Sequence, residues 1–490
     1  MYFSLYTTQK IILIKYRWVL NWLLFPFRKT PNNLQKSKTH LHNYQKIRNT
    51  GPEPVICHAP SRSIYFGFEG KVIPCCFNRE FIYGKYPEIS IKEIIEGGSR
   101  KLLQNYLSNE DFSHGCEHCL KMINTGNYEG VEARLYDGLK KQKGGFPAEM
   151  IFEIDNTCNL ECVMCEGRFS SSILKNREGK GYTQGPYDTS FVEQLIPYLE
   201  KLEVAKFLGG EPFLIKQYYD IWEIILKVNP KCIINLQTNG TVYNEKIEKL
   251  LKRGHFQIGV SLDSLNKSRF EEIRKPAVFE NVINNIDKFI NHTRKAGCFT
   301  NISVCPMRIN AEEIPRIVEF CNSKKVFVYF NTVYTKKFSL MDWNSSEIGE
   351  IYKLFNNTRF RDKGYLAKRN INSFRSLTRQ IGVWYKLKLK EETRLIKRHH
   401  YHKMEFIALF EKKIHGCTSA LEEKLLRNLK DIPEEMLLSD AHLEHLQQVD
   451  HNEFINVLGE ETDDDLQKLL YNFFETGNFL YINKRSEIQT

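Results

Sequence analysis

Three cysteines within eight residues are the most reactive grouping in this chain. Cys158, Cys162 and Cys165 have the spacing C-x3-C-x2-C and follow an apolar stretch that predicts a strand. Thiolates grouped on one loop suit iron–sulfur or other soft-metal binding. A cubane [4Fe–4S] cluster normally has four cysteine ligands, so a loop with three leaves one iron open to a further ligand. A zinc site is the alternative, although its usual spacing is paired C-x2-C units.

Polar segments also follow the next three predicted strands. Residues 209–212 (GGEP) contain two glycines, which let the backbone approach a ligand closely, and Glu211, which can accept from a cation. Thr238 lies in a T-N-G turn, and Ser261 and Asp263 lie in the segment S-L-D-S. Arg274 follows eleven residues later. Taken singly, each has a plain alternative: a strand-to-helix turn, a generic Asn-Gly turn, or a surface arginine.

The order of these four motifs at four successive strand ends resembles the radical S-adenosylmethionine (SAM) superfamily. The resemblance covers about residues 148–338. It implies a [4Fe–4S] cluster on the three cysteines, whose vacant iron chelates SAM, and reductive cleavage of SAM to a 5′-deoxyadenosyl radical that abstracts hydrogen from a substrate. It also implies SAM contacts from the residues that match the family's motifs: Gly209, Gly210, Glu211, Pro212, Thr238, Ser261, Asp263 and Arg274. One departure is Met164, where many members carry an aromatic residue that touches adenine.

A second group of cysteines precedes this region. Cys57 and Cys75 flank a predicted hairpin with Gly70 at its turn, and Cys116 and Cys119 form a C-x2-C pair. Four thiolates would complete a closed site for either iron–sulfur or zinc. Cys76 is an alternative to Cys75.

This N-terminal segment resembles the SPASM/twitch domains of radical SAM enzymes, which hold auxiliary [4Fe–4S] clusters. Those domains commonly follow the barrel, and SPASM domains carry seven cysteines, whereas this segment precedes the barrel and carries five. The resemblance therefore implies a single twitch-like cluster on Cys57, Cys75, Cys116 and Cys119, and the x4 spacing after Gly70 favours Cys75 over Cys76. A structural zinc knuckle with the same cysteines is the rival interpretation.

The elements that must position these residues alternate between short apolar runs and longer amphipathic stretches. Strands are predicted at residues 150–154, 204–208, 233–237, 257–262, 301–304 and 326–330, with helices between them. Repeated strand–helix units predict an α/β fold with a parallel sheet, and six units fit a partial (β/α)6 TIM-like barrel. The predicted domains are a segment and linker (1–50), an auxiliary cluster domain (51–125), the radical SAM core (126–338) and a helical region (339–490).

Composition indicates an ordinary globular protein and not a small secreted disulfide framework. Of 490 residues, 42% are hydrophobic and 26% charged, the formal charge is +11, and eight of thirteen cysteines lie in three clusters. We therefore expect a reducing, cytoplasmic compartment. Residues 11–27 are apolar but carry Lys15 and Arg17, which argues against a membrane span; a helix packed on its own domain is favoured over a membrane-surface contact.

The combined interpretation is a twitch-type radical SAM oxidoreductase or modifying enzyme. Its partners would be SAM, a reductant such as flavodoxin or ferredoxin, and a peptide or protein substrate, because many SPASM/twitch enzymes modify peptides. An RNA substrate, motivated by the basic residues 359–403, a sugar or small molecule, and a non-catalytic zinc module are the alternatives. No catalytic acid, base or hydrogen donor is assigned, and Cys232, Cys298, Cys305, Cys321 and Cys417 are expected to be small buried hydrophobic residues.

Overall fold

A computed structural model describes residues 38–48, 55–182, 185–415 and 418–430, together with Leu443, Leu446 and Gln447. The N-terminal apolar segment at residues 11–27 and Cys417 lie outside these residues. None of the cysteines within the described ranges is in a disulfide. No helix of the described part is long and apolar enough to cross a bilayer.

One nine-stranded sheet organises the fold, in the spatial order β3-β2-β1-β4-β5-β6-β7-β8-β9. The last six strands of this order are mutually parallel, which agrees with the six strand–helix units of the sequence prediction. The strands are β1 (Ser63–Phe66), β2 (Lys71–Ile73), β3 (Gly84–Lys85), β4 (Glu149–Phe152), β5 (Val204–Phe207), β6 (Ile233–Thr238), β7 (His255–Ser261), β8 (Thr300–Val304) and β9 (Phe327–Phe330).

Helices cover the sheet because their apolar faces need burial. The helices are α1 (Lys38–Ile47), α2 (Ala59–Arg62), α3 (Ile91–Glu96), α4 (Gly98–Ser108), α5 (Glu117–Asn124), α6 (Ser171–Asn176), α7 (Thr189–Leu199), α8 (Lys216–Val228), α9 (Glu245–Leu251), α10 (Lys267–Ile273), α11 (Phe279–Lys295), α12 (Ile314–Lys324), α13 (Ser345–Asn357), α14 (Tyr365–Ile414) and α15 (Ser419–Lys430). Helix α8 illustrates the packing: Trp222 is fully buried, and its ring centroid lies 5.4 Å from that of Phe207 on β5. A buried side chain of this size contributes about 1.5–3 kcal/mol or more.

Side-chain caps define where several of these helices begin. Asp188 accepts a hydrogen bond from the Phe191 backbone N at 2.9 Å, at the start of α7. Asn244 accepts from the Ile247 N at 3.0 Å, at the start of α9. Such caps satisfy amide groups that have no partner inside the helix, and each stabilises it by about 1 kcal/mol. Each cap therefore fixes the residue at which the preceding loop ends and the helix begins.

The N-terminal cysteine-bearing segment adds strands to the same sheet. β1 pairs with β4 in parallel, with Tyr65 opposite Ile151, and β2 and β3 follow as an antiparallel pair. The chain re-enters at β4 across a long connection that includes α3 to α5. The carboxyl ends of β1 and β4 therefore lie side by side, and this places the two cysteine-bearing regions near one edge of the sheet. The domain boundary at residue 125 stays a prediction.

By its contacts the chain divides into two compact units, residues 1–384 and 385–490. The first contains the whole sheet. In the second, α14 ends and α15 follows, and Phe406, Phe410, Ile414 and Leu425 are buried there. Within the residues described up to Lys430, the helical C-terminal region predicted from sequence is confirmed, and so is the α/β fold class with its parallel sheet.

Candidate functional site

The Cys158 loop leaves the carboxyl end of β4 and is anchored along its length. The Cys158 N donates to the Ser171 side chain at 3.1 Å, and the Val163 N donates to the Ile273 carbonyl at 2.9 Å. Further on, the Thr335 hydroxyl donates to the Met164 carbonyl at 3.1 Å. The loop between β4 and α6 is thus fixed by three separate parts of the chain before any ligand binds.

The three thiols of this loop are half-buried and near enough to influence one another. Burial, with a smaller contribution from the neighbouring thiols, raises the pKa of Cys158 to about 11 and that of Cys165 to about 12. The pKa of Cys162 is also raised by burial, against the opposing charge of Arg274. A bound metal reverses this balance because it takes thiolate ligands. The backbone N of Leu160, which donates to the Cys158 Sγ at 3.5 Å, then supports the charge.

The glycine turn after β5 packs directly on the Cys158 loop. Gly209 and Gly210 have φ values of +78° and +41°, a region that L side chains rarely adopt. A Cβ on Gly210 would lie 2.2 Å from the Thr157 carbonyl oxygen, so no other residue fits without displacing the backbone. The Glu211 N donates to that same oxygen at 2.8 Å. The two loops are therefore built as one unit, and only glycine permits their approach.

The Glu211 carboxylate is fully buried and binds three donors of the protein itself. It accepts from the Phe213 N at 3.2 Å, the Thr238 hydroxyl at 2.7 Å and the Asn239 N at 2.6 Å. Burial raises the pKa of this carboxyl to about 7. Glu211 and Thr238 thus join the loops after β5 and β6, and the buried Pro212 begins the short helical turn Pro212–Leu214 behind them. Their contact with SAM stays a prediction.

Asn239 is a site residue that the sequence analysis did not single out. Its side-chain amide donates to the Asn159 side chain at 2.9 Å and lies 4.0 Å from the Cys158 Sγ. Asn239 is the middle residue of the T-N-G turn, which was interpreted through its threonine. The signal was present in the sequence, but only the folded loop places this amide beside a thiol.

Ser261 belongs to a polar row that crosses three strands. Its hydroxyl accepts from the Gln237 amide at 2.9 Å, and the Ser303 hydroxyl donates to the carbonyl of that same amide at 2.8 Å. These three residues lie near the carboxyl ends of β6, β7 and β8. A ribose hydroxyl could exchange into this row, which agrees with the expectation for Ser261 without testing it.

Asp263 and Arg274 form a buried ion pair next to the cysteine loop. The two N–H groups of Arg274 on Nε and Nη2 point at the Asp263 Oδ2, at 2.8 and 2.7 Å. The Arg274 Nη1 lies 3.8 Å from the Cys162 Sγ. Asp263 is fully buried, and its other oxygen accepts from the Cys305 N at 2.7 Å. The side chain of Asp263 is thus directed at Arg274, and Cys305 is half-buried beside this network.

Met164 packs in an apolar cluster. It lies with Val163 and Cys305 against buried Ile273, Met307 and Val333. An apolar side chain here forms part of the wall around the cysteine loop.

The four cysteines predicted as auxiliary ligands line one small cavity. Cys57, Cys75, Cys116 and Cys119 all border it, and Cys76 is not among its described lining residues. The thiol of Cys76 instead lies near Glu132, Lys206 and Arg79 as well as Cys75. Burial raises the pKa of Cys75 and of Cys119 to about 12 and that of Cys116 to about 11. This arrangement favours Cys75 over Cys76.

Amide donors surround the auxiliary thiols. The Ala59 N donates to the Cys57 Sγ at 3.4 Å, and backbone N–H groups of residues 132 and 133 reach Cys119. Asn78, which the sequence analysis missed, gives two donors: its backbone N to the Cys75 Sγ and its side-chain amide to the Cys116 Sγ, each at 3.3 Å. Hydrogen bonds to sulfur stabilise metal-bound thiolates. The donor chemistry of both cysteine sets therefore fits a thiolate-bound cluster.

The loop after β9 contacts both cysteine-bearing segments. The Tyr334 ring meets Phe77 and His118 edge-on, with centroids at 5.9 and 6.2 Å, and Phe77 and His118 stack at 4.1 Å. The next residue, Thr335, donates to the Met164 carbonyl.

Within the described residues no group of three His, Cys, Asp or Glu side chains is gathered tightly enough to chelate a single metal ion.

Comparison with known proteins identifies two domains. Residues 152–321 match the model of the Radical SAM superfamily, and residues 57–120 match that of an iron-sulfur cluster-binding domain, SPASM. The "Probable GTP 3',8-cyclase" of Methanocaldococcus jannaschii is 33% identical over 173 residues, which are 34% of this chain and 53% of that protein. The GTP 3',8-cyclase of Aliarcobacter butzleri is 26% identical over 202 residues, which are 40% of this chain and 60% of that protein. The chain thus spans little more than half the length of these relatives.

Similarity to solved structures is limited. The match to the crystal structure of Streptococcus suis SuiB covers 62% of this chain and 70% of the SuiB chain, with 16% identity and a TM-score of 0.32.

The two domain matches confirm the family and cofactor types expected from sequence. A radical SAM domain implies a [4Fe–4S] cluster and SAM, and a SPASM domain implies an auxiliary iron–sulfur cluster. The individual ligands and SAM contacts stay predictions.

Proposed function

We propose that this chain, which carries a radical SAM domain and a SPASM iron–sulfur domain, abstracts hydrogen from a peptide or protein substrate. The observation that carries the radical SAM part of the proposal is the joined loop pair, in which the Glu211 N donates to the Thr157 carbonyl at 2.8 Å, directly before Cys158. When bound, the catalytic [4Fe–4S] cluster supplies one electron that cleaves the sulfonium–C5′ bond of SAM. The protein supplies position and electrostatics.

The residues of this chain divide that work between them. Cys158, Cys162 and Cys165 would hold the cluster on a loop that is anchored in advance. The glycine turn would offer its backbone to the SAM amino group, and Glu211 holds the neighbouring loops together through three hydrogen bonds. Rigid loops of this kind keep reacting groups in register at little entropic cost.

The auxiliary site would serve as a one-electron acceptor. Four thiols border its cavity, so each iron of a cubane cluster would have a cysteine ligand and none would be open to substrate. The Tyr334–Thr335 segment connects this site to the catalytic loop through Phe77 and Met164. A cluster held by these four cysteines would accept the electron that a substrate radical loses when it is oxidised.

A cleft beside β1 and β4 favours a peptide over a polyphosphate. The β1–β4 cleft, with a volume of about 860 Å³, reaches Asp155 and Asn156, which directly precede the cysteine loop. Three of its four cations are paired with carboxylates: Lys71 with Glu69 at 2.8 Å, Lys85 with Glu88 at 2.7 Å and Arg79 with Glu153 at 2.8 Å. The fourth, Arg168, lies over the Phe169 ring. A mixed lining of this kind suits the alternating charges and backbone amides of a peptide better than a triphosphate, which needs an excess of cations.

A guanine nucleotide is the second candidate substrate, because the two curated relatives described above are named GTP 3',8-cyclases. The test uses anaerobically reconstituted protein with SAM and dithionite, and 5′-deoxyadenosine is measured after adding GTP or a low-molecular-weight peptide fraction of cell lysate. Stimulation by the peptide fraction that disappears after protease digestion supports the peptide proposal. Stimulation by GTP alone supports the nucleotide.

The radical chemistry itself has a separate control. Replacement of Cys158, Cys162 and Cys165 by alanine should abolish 5′-deoxyadenosine formation, whereas Cys232→Ala should not, because Cys232 is buried outside both cysteine sets. SAM cleavage that survives the triple replacement would overturn the proposal.

A further inference from the structure

Arg274 is held in one orientation by contacts on all three of its guanidinium nitrogens. Nε and Nη2 lie 2.8 and 2.7 Å from the Asp263 Oδ2, and Nη1 lies 3.8 Å from the Cys162 Sγ. The Arg274 side chain is 8% exposed and that of Asp263 is 0% exposed. A guanidinium fixed in this way presents one N–H edge to a carboxylate and another to a thiol.

Asp263 cannot turn away from this pair. Its Oδ1 accepts from the Cys305 N at 2.7 Å, and its backbone carbonyl accepts from the Asn310 side chain at 2.7 Å. Asn310 is itself buried, and its Oδ1 accepts from the Met307 N at 2.7 Å. The orientation of Arg274 is therefore transmitted from the loop after β8 through Asp263.

Stability alone is a weak reason for such a pair. Removing two charges from water is costly, and a buried ion pair is often no more stabilising than well-packed apolar residues. Here the pair has a third member, because the free edge of Arg274 faces a thiol that would carry negative charge when it binds iron.

We propose that Arg274, oriented by Asp263, is a positioning residue that donates to the Cys162 sulfur and makes the catalytic cluster easier to reduce. This inference rests on the proposed function, because it assigns Cys162 to that cluster. A positive charge and an N–H donor at a ligand sulfur both stabilise the more negative, reduced state. The step adds one electron from a low-potential one-electron donor, dithionite in the test below, to the cluster, and no bond forms or breaks in it.

The proposal differs from the contact expected by family resemblance. That resemblance places the position of Arg274 against SAM, whereas the three nitrogens here point at Asp263 and Cys162. An effect on the cluster should therefore appear before SAM is added, and SAM affinity should change little.

The test compares full-length reconstituted wild type with Arg274→Gln, Arg274→Lys, Asp263→Asn and Arg177→Gln. Arg177 is the matched control: it lies by the same loop, but it donates to the Cys162 backbone carbonyl at 2.9 Å and not to the sulfur. Iron content is measured first. The catalytic cluster is recognised as the one whose electron paramagnetic resonance signal changes when SAM is added. Its reduced fraction is then followed in a reductive titration, without and with SAM.

Arg274→Gln should lower the ratio of reduced to oxidised cluster about tenfold at a fixed potential, which corresponds to about 59 mV for one electron. Asp263→Asn should shift this ratio in the same direction but by less, because the released guanidinium weakens the sulfur contact whereas the lost carboxylate charge itself favours reduction. Arg274→Lys should give a smaller shift because it keeps the charge, and Arg177→Gln should change the ratio less than twofold. If Arg274→Gln loses iron, Arg274→Lys and Asp263→Asn carry the comparison.

Iron-loaded Arg274 variants with the wild-type ratio would overturn the inference, and so would a loss of SAM binding without any change in the ratio. An equal shift in Arg177→Gln would overturn it as well, because the effect would then be general charge and not the sulfur contact. Failure of the proposed function looks different: the wild type would cleave no SAM, whereas the titration without SAM would still compare the variants.

Discussion

Replacing Gly210 with alanine should break the contact between the glycine turn and the cysteine loop. The φ of Gly210 is +41°, and its Cβ would lie 2.2 Å from the Thr157 oxygen and 2.8 Å from the Thr157 carbonyl carbon. The obstacle is backbone, so no rotamer change removes it. The left-handed conformation costs about 1–2 kcal/mol for an L side chain. Overpacking adds about 1–3 kcal/mol, for a total of roughly 2–5 kcal/mol.

That loss is a large part of the about 5–15 kcal/mol that typically stabilises a folded domain. The assay is urea unfolding of the iron-free protein, followed by iron content after reconstitution and by binding of SAM. Gly98→Ala is the matched control, because no atom lies within 4 Å of its added Cβ. Gly98 is the first residue of α4, where alanine is as good a helix former or better.

Destabilisation of Gly210→Ala with little change in Gly98→Ala is the expected result, together with weaker SAM binding in any iron-loaded Gly210→Ala protein. The reasoning would be refuted by a Gly210→Ala protein that unfolds at the wild-type urea concentration and binds SAM normally. That result would mean that the two loops can separate without cost.

Three further predictions concern the auxiliary site, the buried carboxyl and the strand ends. Cys116→Ala should lower the iron content by about four atoms per chain, whereas Cys76→Ala should leave it unchanged, as measured by iron and sulfide analysis. Equal losses of iron in the two variants would contradict the assignment of Cys75, and not Cys76, as a ligand. Because burial raises the pKa of Glu211 to about 7, above the value of about 4.3 for an unfolded glutamate, the folded protein alone binds this proton between those values. The stability of wild type relative to Glu211→Gln should therefore fall as the pH rises from about 5 to about 8, and a constant difference in urea unfolding would contradict this. Tyr218→Phe should cost about 1–3 kcal/mol of unfolding free energy, because the Tyr218 hydroxyl shares its proton between the Leu208 and Phe152 carbonyls at 2.6 and 2.9 Å and accepts from the Ile154 N at 3.3 Å. Tyr219→Phe, which removes a single bond at 3.1 Å, is the milder control.

Local patterns in the sequence were sufficient for the repeated units of the fold. Apolar runs followed by amphipathic stretches predicted six parallel strands, and these occur as β4 to β9 with ends that differ from the prediction by at most two residues. The same patterns predicted the β1–β2 hairpin around Gly70. They did not indicate that β1 would pair with β4, because strand pairing joins residues more than eighty positions apart and leaves no local periodicity.

The candidate site divides in the same way. The four motifs at the strand ends are each local, and their order along the chain was enough to predict the radical SAM family and its cofactors, which the domain matches confirm. The partners of those residues are not local. Asn78 reaches Cys116 across 38 positions, and each bond depends on how two distant segments pack.

The amino-acid sequence by itself therefore determined the ligand types, their spacing and the strands that carry them, since these depend on neighbouring residues. Only the tertiary structure decided what surrounds each ligand. Arg274 lies 112 positions from Cys162, and nothing near either residue in the chain indicates their contact. It arises because parallel strands bring the loops at their carboxyl ends together, so residues that are far apart in sequence share one buried, low-dielectric site.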